Sequence, residues 1–201
     1  MENSIEHLLR LMEQQENRVL VILDVSGSIH NENIEDALLD VSLAHKKFDP
    51  QGQRLIAITD NFGKEGSKQE AIAIPVGAQS VHEVPGDLRG GGADHVFERV
   101  NSLQIYRDLK PTHVIFYSDM FMPPIDKEKI DPGVREGLVL CLYSQDSQDH
   151  VRWVSENFGA LATLTQASTA MQKDAILAEM DAEKLGQQTQ PASPSTSRIR
   201  I

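Results

Sequence analysis

One aspartate and two serines follow the first strongly apolar segment of the chain at a spacing of two residues. Asp24, Ser26 and Ser28 alternate with Val25 and Gly27, so the carboxylate and both hydroxyls can point to the same side of a turn. Such hard oxygen donors suit Mg²⁺, Mn²⁺ or Ca²⁺ far better than zinc or copper. Gly27 is expected to let the turn tighten without a Cβ in the way. The spacing therefore predicts the core of a divalent-metal-binding loop.

Two further aspartates end predicted strands. Asp60 follows Leu55–Thr59, and Asp119 follows His113–Ser118. Ligands of open parallel sheets bind beyond the carboxyl ends of the strands, so we expect these carboxylates to lie at the same edge as the loop. Asp60 is predicted to support the ligands without touching the ion. The predicted metal ligands are Asp24, Ser26, Ser28 and Asp119.

Apolar periodicity predicts the elements that must position these residues. The strands are predicted at Arg18–Leu23, Leu55–Thr59, His113–Ser118, Leu138–Tyr143 and Leu161–Thr165. The helices are predicted at Ser4–Glu16, Asn33–Phe48, Asp94–Tyr106, Gln148–Phe158 and Ala167–Leu185. A short hairpin or an edge strand is expected within Glu70–Val84.

Strands that alternate with helices through short connections indicate an α/β fold. We expect a three-layer, doubly wound and mostly parallel sheet with helices on both faces. Residues 1–17 are predicted to form a leader helix and residues 18–185 the domain. Residues 186–201 are rich in Gln, Thr, Pro and Ser, a composition that buries too little apolar surface to fold, so we predict a disordered tail.

The overall composition excludes several classes of protein. The net charge is -11 and no block is rich in Lys or Arg, which argues against binding to nucleic acid or to an anionic membrane. A single cysteine, Cys141, rules out a disulfide within the chain. The acidic start lacks the features of a signal peptide, and no apolar stretch approaches the roughly 18 residues of a membrane span. We therefore expect a cytoplasmic protein.

Three segments resemble one known family. Val19–Ile29 is similar to the Asp-x-Ser-x-Ser signature of von Willebrand factor type A (VWA) domains, which forms their metal-ion-dependent adhesion site (MIDAS). Gly90–Asp94 resembles the Gly-Gly-Thr-Asp loop of that family, and His113–Asp119 resembles its strand that ends in Thr-Asp-Gly. The resemblance covers roughly residues 18–185. It is closest to the bacterial VWA-like domain found at the C-terminal end of proteins labelled metallopeptidases, and it implies a VWA/Rossmann-like fold.

Two positions depart from the pattern of the family. Ala93 stands where the family has a metal-binding threonine, so one ligand hydroxyl is missing, and Asp94 or a water is an alternative ligand. Met120 stands where glycine often follows the last aspartate, and it begins the apolar loop Met120–Pro124. That loop either folds over the core or forms the apolar rim of a protein-binding surface.

The resemblance implies a non-enzymatic, metal-dependent module for adhesion or scaffolding. In this family Mg²⁺ or Mn²⁺, with Ca²⁺ as an alternative, captures an Asp or Glu carboxylate of a partner protein. Intracellular members often work beside AAA+ ATPases of the MoxR type, which makes such an ATPase a candidate partner.

Two other functions stay open. A metal-dependent hydrolase or phosphotransferase could use the same carboxylates, although no His-Glu-x-x-His motif supports a zinc peptidase. A structural VWA domain whose metal site has decayed is the other alternative, and Ala93 is the main argument for it.

Overall fold

The computed structural model describes residues 3–63, 71–86, 88, 95–120, 122–123, 125–143, 148–158 and 163–188. The chain divides into two compact units, Met1–Ser168 and Thr169–Ile201. The strands, all in the first unit, are β1 (Val19–Leu23), β2 (Leu55–Thr59), β3 (His113–Ser118), β4 (Leu138–Leu142) and β5 (Thr163–Gln166).

The helices of the first unit are α1 (Ser4–Glu13), α2 (Asn31–Phe48), α3 (Val96–Arg99), α4 (Gln104–Leu109), α5 (Pro132–Glu136) and α6 (Gln148–Asn157). Short 3₁₀ turns lie at Asn61–Gly63, Val81–Glu83, Val100–Ser102 and Lys127–Lys129. The second unit contains α7 (Ala170–Gln188). The disordered tail predicted over residues 186–201 is wrong for residues 186–188, which continue α7. Residues 189–201 lie outside the described residues, so disorder there stays a prediction.

The sheet is five-stranded and wholly parallel, with the strand order β2-β1-β3-β4-β5. Leu23 at the end of β1 is level with Thr59 of β2 and with Tyr117 of β3. Asp24, the residue after β1, therefore lies beside the ends of both neighbouring strands. The α/β fold that the sequence predicts is confirmed.

Alternate strand residues pack on opposite faces of the sheet, as a pleated strand requires. Val21 and Leu23 pack into the cluster that includes α1 and α2, whereas Leu20 and Ile22 pack into the cluster that includes α3, α5 and α6. On the second face, the ring of Phe97 meets Phe116 edge-on at a centroid distance of 5.1 Å. Two apolar layers against one sheet give the three-layer architecture.

The leader helix α1 packs against α2 and buries Ile5, Leu8 and Met12 completely. Its first residue, Ser4, donates a hydrogen bond to the buried carboxylate of Asp40 in α2. The hydroxyl of Ser4 also accepts a hydrogen bond from the backbone N–H of Ser168 at 3.1 Å. Polar and apolar contacts thus hold α1 against α2 and Ser168 within the first unit.

The prediction of a single helix over Asp94–Tyr106 is wrong, because the chain forms α3, a 3₁₀ turn and α4 instead. Ser102 donates its hydroxyl to the carbonyl of Arg99 at 2.6 Å, the acceptor that a continuing α-helix would offer to the N–H of Leu103. Leu103 is extended, with φ -70 and ψ 140. Side-chain competition for the backbone therefore interrupts the helix.

Two smaller differences lie near the sheet. Within the predicted hairpin or edge strand, Ala73 makes one antiparallel bridge with Ile58 of β2, so the segment borders the sheet without forming a named strand. The short helix α5 was not predicted, although Asp131 caps it by accepting from the N–H of Gly133 at 2.9 Å and Pro132 begins it. None of the helices in the described part of the chain has the length and apolar character needed to cross a bilayer.

Candidate metal centre

Asp24 is the buried centre of the predicted loop. Its backbone N–H donates to the carbonyl of Tyr117 at 2.9 Å, which extends the pairing of β1 and β3 by one residue. One carboxylate oxygen accepts from the N–H of Ser26 at 2.9 Å, and the other accepts from the hydroxyl of Ser118 at 2.6 Å. Burial raises the pKa of this carboxyl, and the hydrogen bonds from Ser118 and Ser26 oppose that rise.

The two serine hydroxyls of the loop lie side by side. Ser26 Oγ and Ser28 Oγ are 3.1 Å apart, and Ser28 is exposed to solvent. The buried side chains of Val25 and Ile29 flank the loop and fix it to the core. A Cβ on Gly27 would have no heavy atom within 4 Å. A Cβ would thus not be in the way of this turn, so the reason expected for Gly27 is wrong.

Asp60, at the end of β2, is fully buried beside the loop. Its Oδ1 accepts from the N–H of Val25 at 3.1 Å, and its own N–H donates to the carbonyl of Leu23 at 3.0 Å. Its Oδ2 is buried and has no hydrogen-bond partner within the described residues. Burial first, and then the charge of Asp24, raise the pKa of Asp60 to about 8. This carboxyl therefore keeps its proton to a higher pH than an ordinary aspartate does.

Asp119 follows β3, is partly exposed, and contributes to the rise in the pKa of Asp24. The next residue, Met120, has φ 57, the left-handed conformation that favours glycine. Its N–H donates to Ser118 Oγ at 2.8 Å, and its side chain is buried. The structure thus keeps at this position the backbone turn that glycine makes easily, although the residue is methionine.

The apolar loop after Asp119 contributes to the core at two positions. Met120 and Met122 are both buried against the second face of the sheet, whereas Pro123 is exposed. Phe121 and Pro124 lie outside the described residues. For the two methionines, the hypothesis of an apolar rim is therefore wrong.

The strand order gives the site its place in the fold. The chain leaves β1 towards β2 on one side and then returns past β1 to form β3 on the other side. Ligands of such sheets bind where the order reverses, outside the carboxyl ends of the strands. Asp24 follows β1 and Asp119 follows β3, so both carboxylates stand at the β1/β3 switch point.

Two residues of this site were not predicted. Ser118 joins Asp24 to the turn that carries Asp119, and the only signal for it was a polar residue at the end of an apolar strand. Tyr143, just after β4, donates its hydroxyl to the backbone carbonyl of Asp24 at 3.4 Å. Burial, followed by the charge of Asp24, raises the pKa of Tyr143 well above its usual value.

The glycine-rich loop Gly90–Asp94 lies outside the described residues. The roles assigned to Ala93 and Asp94 therefore stay predictions. Of the predicted residues that the structure describes, Asp24, Ser26, Asp60 and Asp119 are linked by the hydrogen bonds and the electrostatic effects given above, and Ser28 joins them through Ser26.

No group of three or more His, Cys, Asp or Glu side chains within the described ranges is arranged to hold a metal ion. The predicted ligand set is of another kind, because it combines two carboxylates with two hydroxyls. Comparison with known proteins adds no identification: no family model matches the chain, and no curated protein is significantly similar to it.

We predict that the metal-free protein loses stability as the pH rises from about 4 to about 8. The pKa of Asp60 is raised from 3.8 to about 8, so the folded state keeps a proton in this range that the unfolded chain has released. The free energy of unfolding then falls by up to about 1.4 kcal/mol per pH unit. Asp60→Asn removes the titration and should flatten this slope, measured by urea unfolding in EDTA across the range.

Asp108→Asn is the matched control for this experiment, because it neutralises an exposed carboxylate in α4 and should keep the wild-type slope. Equal slopes for the wild type and Asp60→Asn would contradict the prediction.

Proposed function

We propose that the chain is a VWA-type domain with a MIDAS-type site, in which Mg²⁺ or Mn²⁺, with Ca²⁺ as the alternative, binds to Asp24, Ser26, Ser28 and Asp119. The module is a cytoplasmic, non-enzymatic, protein-binding domain whose ion captures an Asp or Glu carboxylate of a partner. The observation that carries the proposal is the pair of hydroxyls beside a buried carboxylate at the β1/β3 switch point.

The spacing of the hydroxyls supports an octahedral cation. Mg²⁺ holds its ligands at about 2.0–2.1 Å, so neighbouring ligands at right angles are about 3 Å apart. The 3.1 Å between Ser26 Oγ and Ser28 Oγ agrees with this value. The two hydroxyl oxygens, which share a hydrogen bond here, are thus spaced as adjacent ligands of such an ion would be.

The charge of the site also supports a cation. Asp24 and Asp60 are both buried, and neither forms an ion pair in the part of the chain that the structure describes. Buried carboxylates are costly unless a positive charge or a proton offsets them. The raised pKa of Asp60 lets a proton offset the cost of burying that group, so the need for a cation falls on Asp24. A divalent ion at this edge would offset the charge of Asp24 and Asp119.

The nature of the partner follows from the resemblance to VWA domains. In that family, protein ligands leave one coordination position for a carboxylate of the partner. A MoxR-type AAA+ ATPase is the partner class that the intracellular relatives suggest, and the described residues neither favour nor oppose it.

Asp60 supports the site through Val25 and Asp24.

The metal is tested by calorimetric titration of Mn²⁺ and of Mg²⁺ into the metal-free protein. We predict saturable binding to the wild type at one site. The affinity should fall at least about tenfold in Asp24→Asn, because the number of charged ligands sets the affinity for such ions. Ser26→Ala combined with Ser28→Ala should weaken binding as well. Asp108→Asn should bind like the wild type. Indistinguishable titration curves for the wild type and Asp24→Asn would contradict metal binding at this site.

The capture of a partner is tested by pull-down from a cell lysate with and without EDTA. We predict that a specific partner is retained with Mg²⁺ and is lost with EDTA and in Asp119→Ala. Retention of the partner both with and without EDTA would favour a decayed metal site. Phosphatase, nuclease and peptidase assays on the same preparations separate the enzymatic alternative, because a turnover that Asp119→Ala abolishes would favour a hydrolase or phosphotransferase.

A further inference from the structure

Ser118 links the two turns that carry the proposed ligands. Its hydroxyl is fully buried at the end of β3 and lies 2.6 Å from Asp24 Oδ2 and 2.8 Å from the N–H of Met120. Asp24 belongs to the loop after β1, whereas Met120 belongs to the turn that begins with Asp119. One side chain therefore contacts both loops of the site.

The direction of each hydrogen bond is fixed by chemistry. A serine hydroxyl has one hydrogen to donate and two lone pairs to accept with. The N–H of Met120 can only donate, so Ser118 accepts from it and gives its single hydrogen to the carboxylate of Asp24. The serine thus orients one oxygen of Asp24 while it fixes the backbone after Asp119.

The backbone of Ser118 does not need this hydroxyl to stay in place. Its carbonyl accepts from the N–H of Tyr143 at 3.1 Å, and Ser118 is paired with Leu142 in the sheet. The left-handed turn at Met120 is a strained conformation for a residue other than glycine. A hydrogen bond from the N–H of Met120 to Ser118 therefore stabilises this turn, whose backbone would otherwise relax to a less strained conformation.

We propose that Ser118 is a positioning residue of the metal site, which sets the distance between Asp24 and Asp119. The inference rests on the proposed function, because it assumes that these two aspartates hold a divalent ion. Ser118 does not touch the ion. It acts through the carboxylate of Asp24 and through the turn at Met120, as residues that hydrogen-bond metal ligands commonly do.

The test compares Ser118→Thr with Ser118→Val, two side chains of nearly the same shape that differ in the hydroxyl. Mn²⁺ affinity is measured by calorimetry, and unfolding in EDTA reports the stability of the metal-free fold. We expect the affinity of Ser118→Thr to stay within about threefold of wild type and that of Ser118→Val to fall about tenfold or more. Ser42→Ala, which removes a buried hydroxyl that donates to Gly77 at 3.3 Å, should bind Mn²⁺ like the wild type.

Each outcome decides the inference. Wild-type affinity in a folded Ser118→Val would overturn the positioning role and leave the metal site standing. Equal losses in the valine and threonine variants would also overturn it, because packing rather than the hydroxyl would then matter. Failure of the wild type to bind Mn²⁺ would overturn both the inference and the proposed function.

A measurement on the unmodified protein keeps the proposal falsifiable if the valine variant does not fold. The amide proton of Met120 donates to Ser118 Oγ, so metal that draws Asp24 and Asp119 together should hold this bond closed. We expect Mg²⁺ to slow hydrogen exchange of the Met120 amide by about tenfold or more in NMR experiments. An unchanged exchange rate with saturating Mg²⁺ bound would overturn the proposal.

Discussion

The burial of two carboxyl groups side by side, Asp24 and Asp60, is the constraint on which the edge of the sheet depends. Parallel pairing in register places them there, because Leu23 of β1 is level with Thr59 of β2. Removal of a carboxylate from water is costly, and Asp24 accordingly accepts two hydrogen bonds, whereas Asp60 accepts one. The loop after β1 and the end of β3 supply these donors.

Hydrogen bonds offset only part of the cost of burying these two carboxyl groups. Asp24 accepts from Ser26 and Ser118, whereas Asp60 accepts from Val25 and keeps one buried oxygen without a donor. The remaining cost can be offset by a proton or by a cation, and the two have different consequences. A proton on Asp60 lowers the charge of the buried pair by one, whereas a cation would bind beside Asp24, which stands at the β1/β3 switch point.

Much of the fold was predictable because the central strands are continuous apolar runs. A strand that is covered on both faces must be apolar throughout, and β2 and β3 end where the sequence predicts. The convergence of Asp24, Asp60 and Asp119 was also predictable, since parallel strands bring their carboxyl ends to one edge. Three aspartates at strand ends were therefore enough to predict a site from the sequence alone.

The remaining features depend on tertiary contacts that have no periodic signal. Ser102 competes for the carbonyl of Arg99 and breaks a helix whose apolar spacing is regular. Met120 adopts a left-handed turn because Ser118 and the core hold it there. Ser118 itself looks like an ordinary strand end in the sequence. The orientation of such side chains follows from partners distant in the chain, which spacing alone does not reveal.

Anomalous diffraction from crystals grown with Mn²⁺ would locate a divalent ion at the β1/β3 switch point if it binds there. We predict a strong anomalous peak at about 2.0–2.2 Å from Ser26 Oγ and from Ser28 Oγ, on the side of Asp24 and Asp119. Full occupancy of Mn²⁺ elsewhere on the molecule with no peak at this edge would contradict the account.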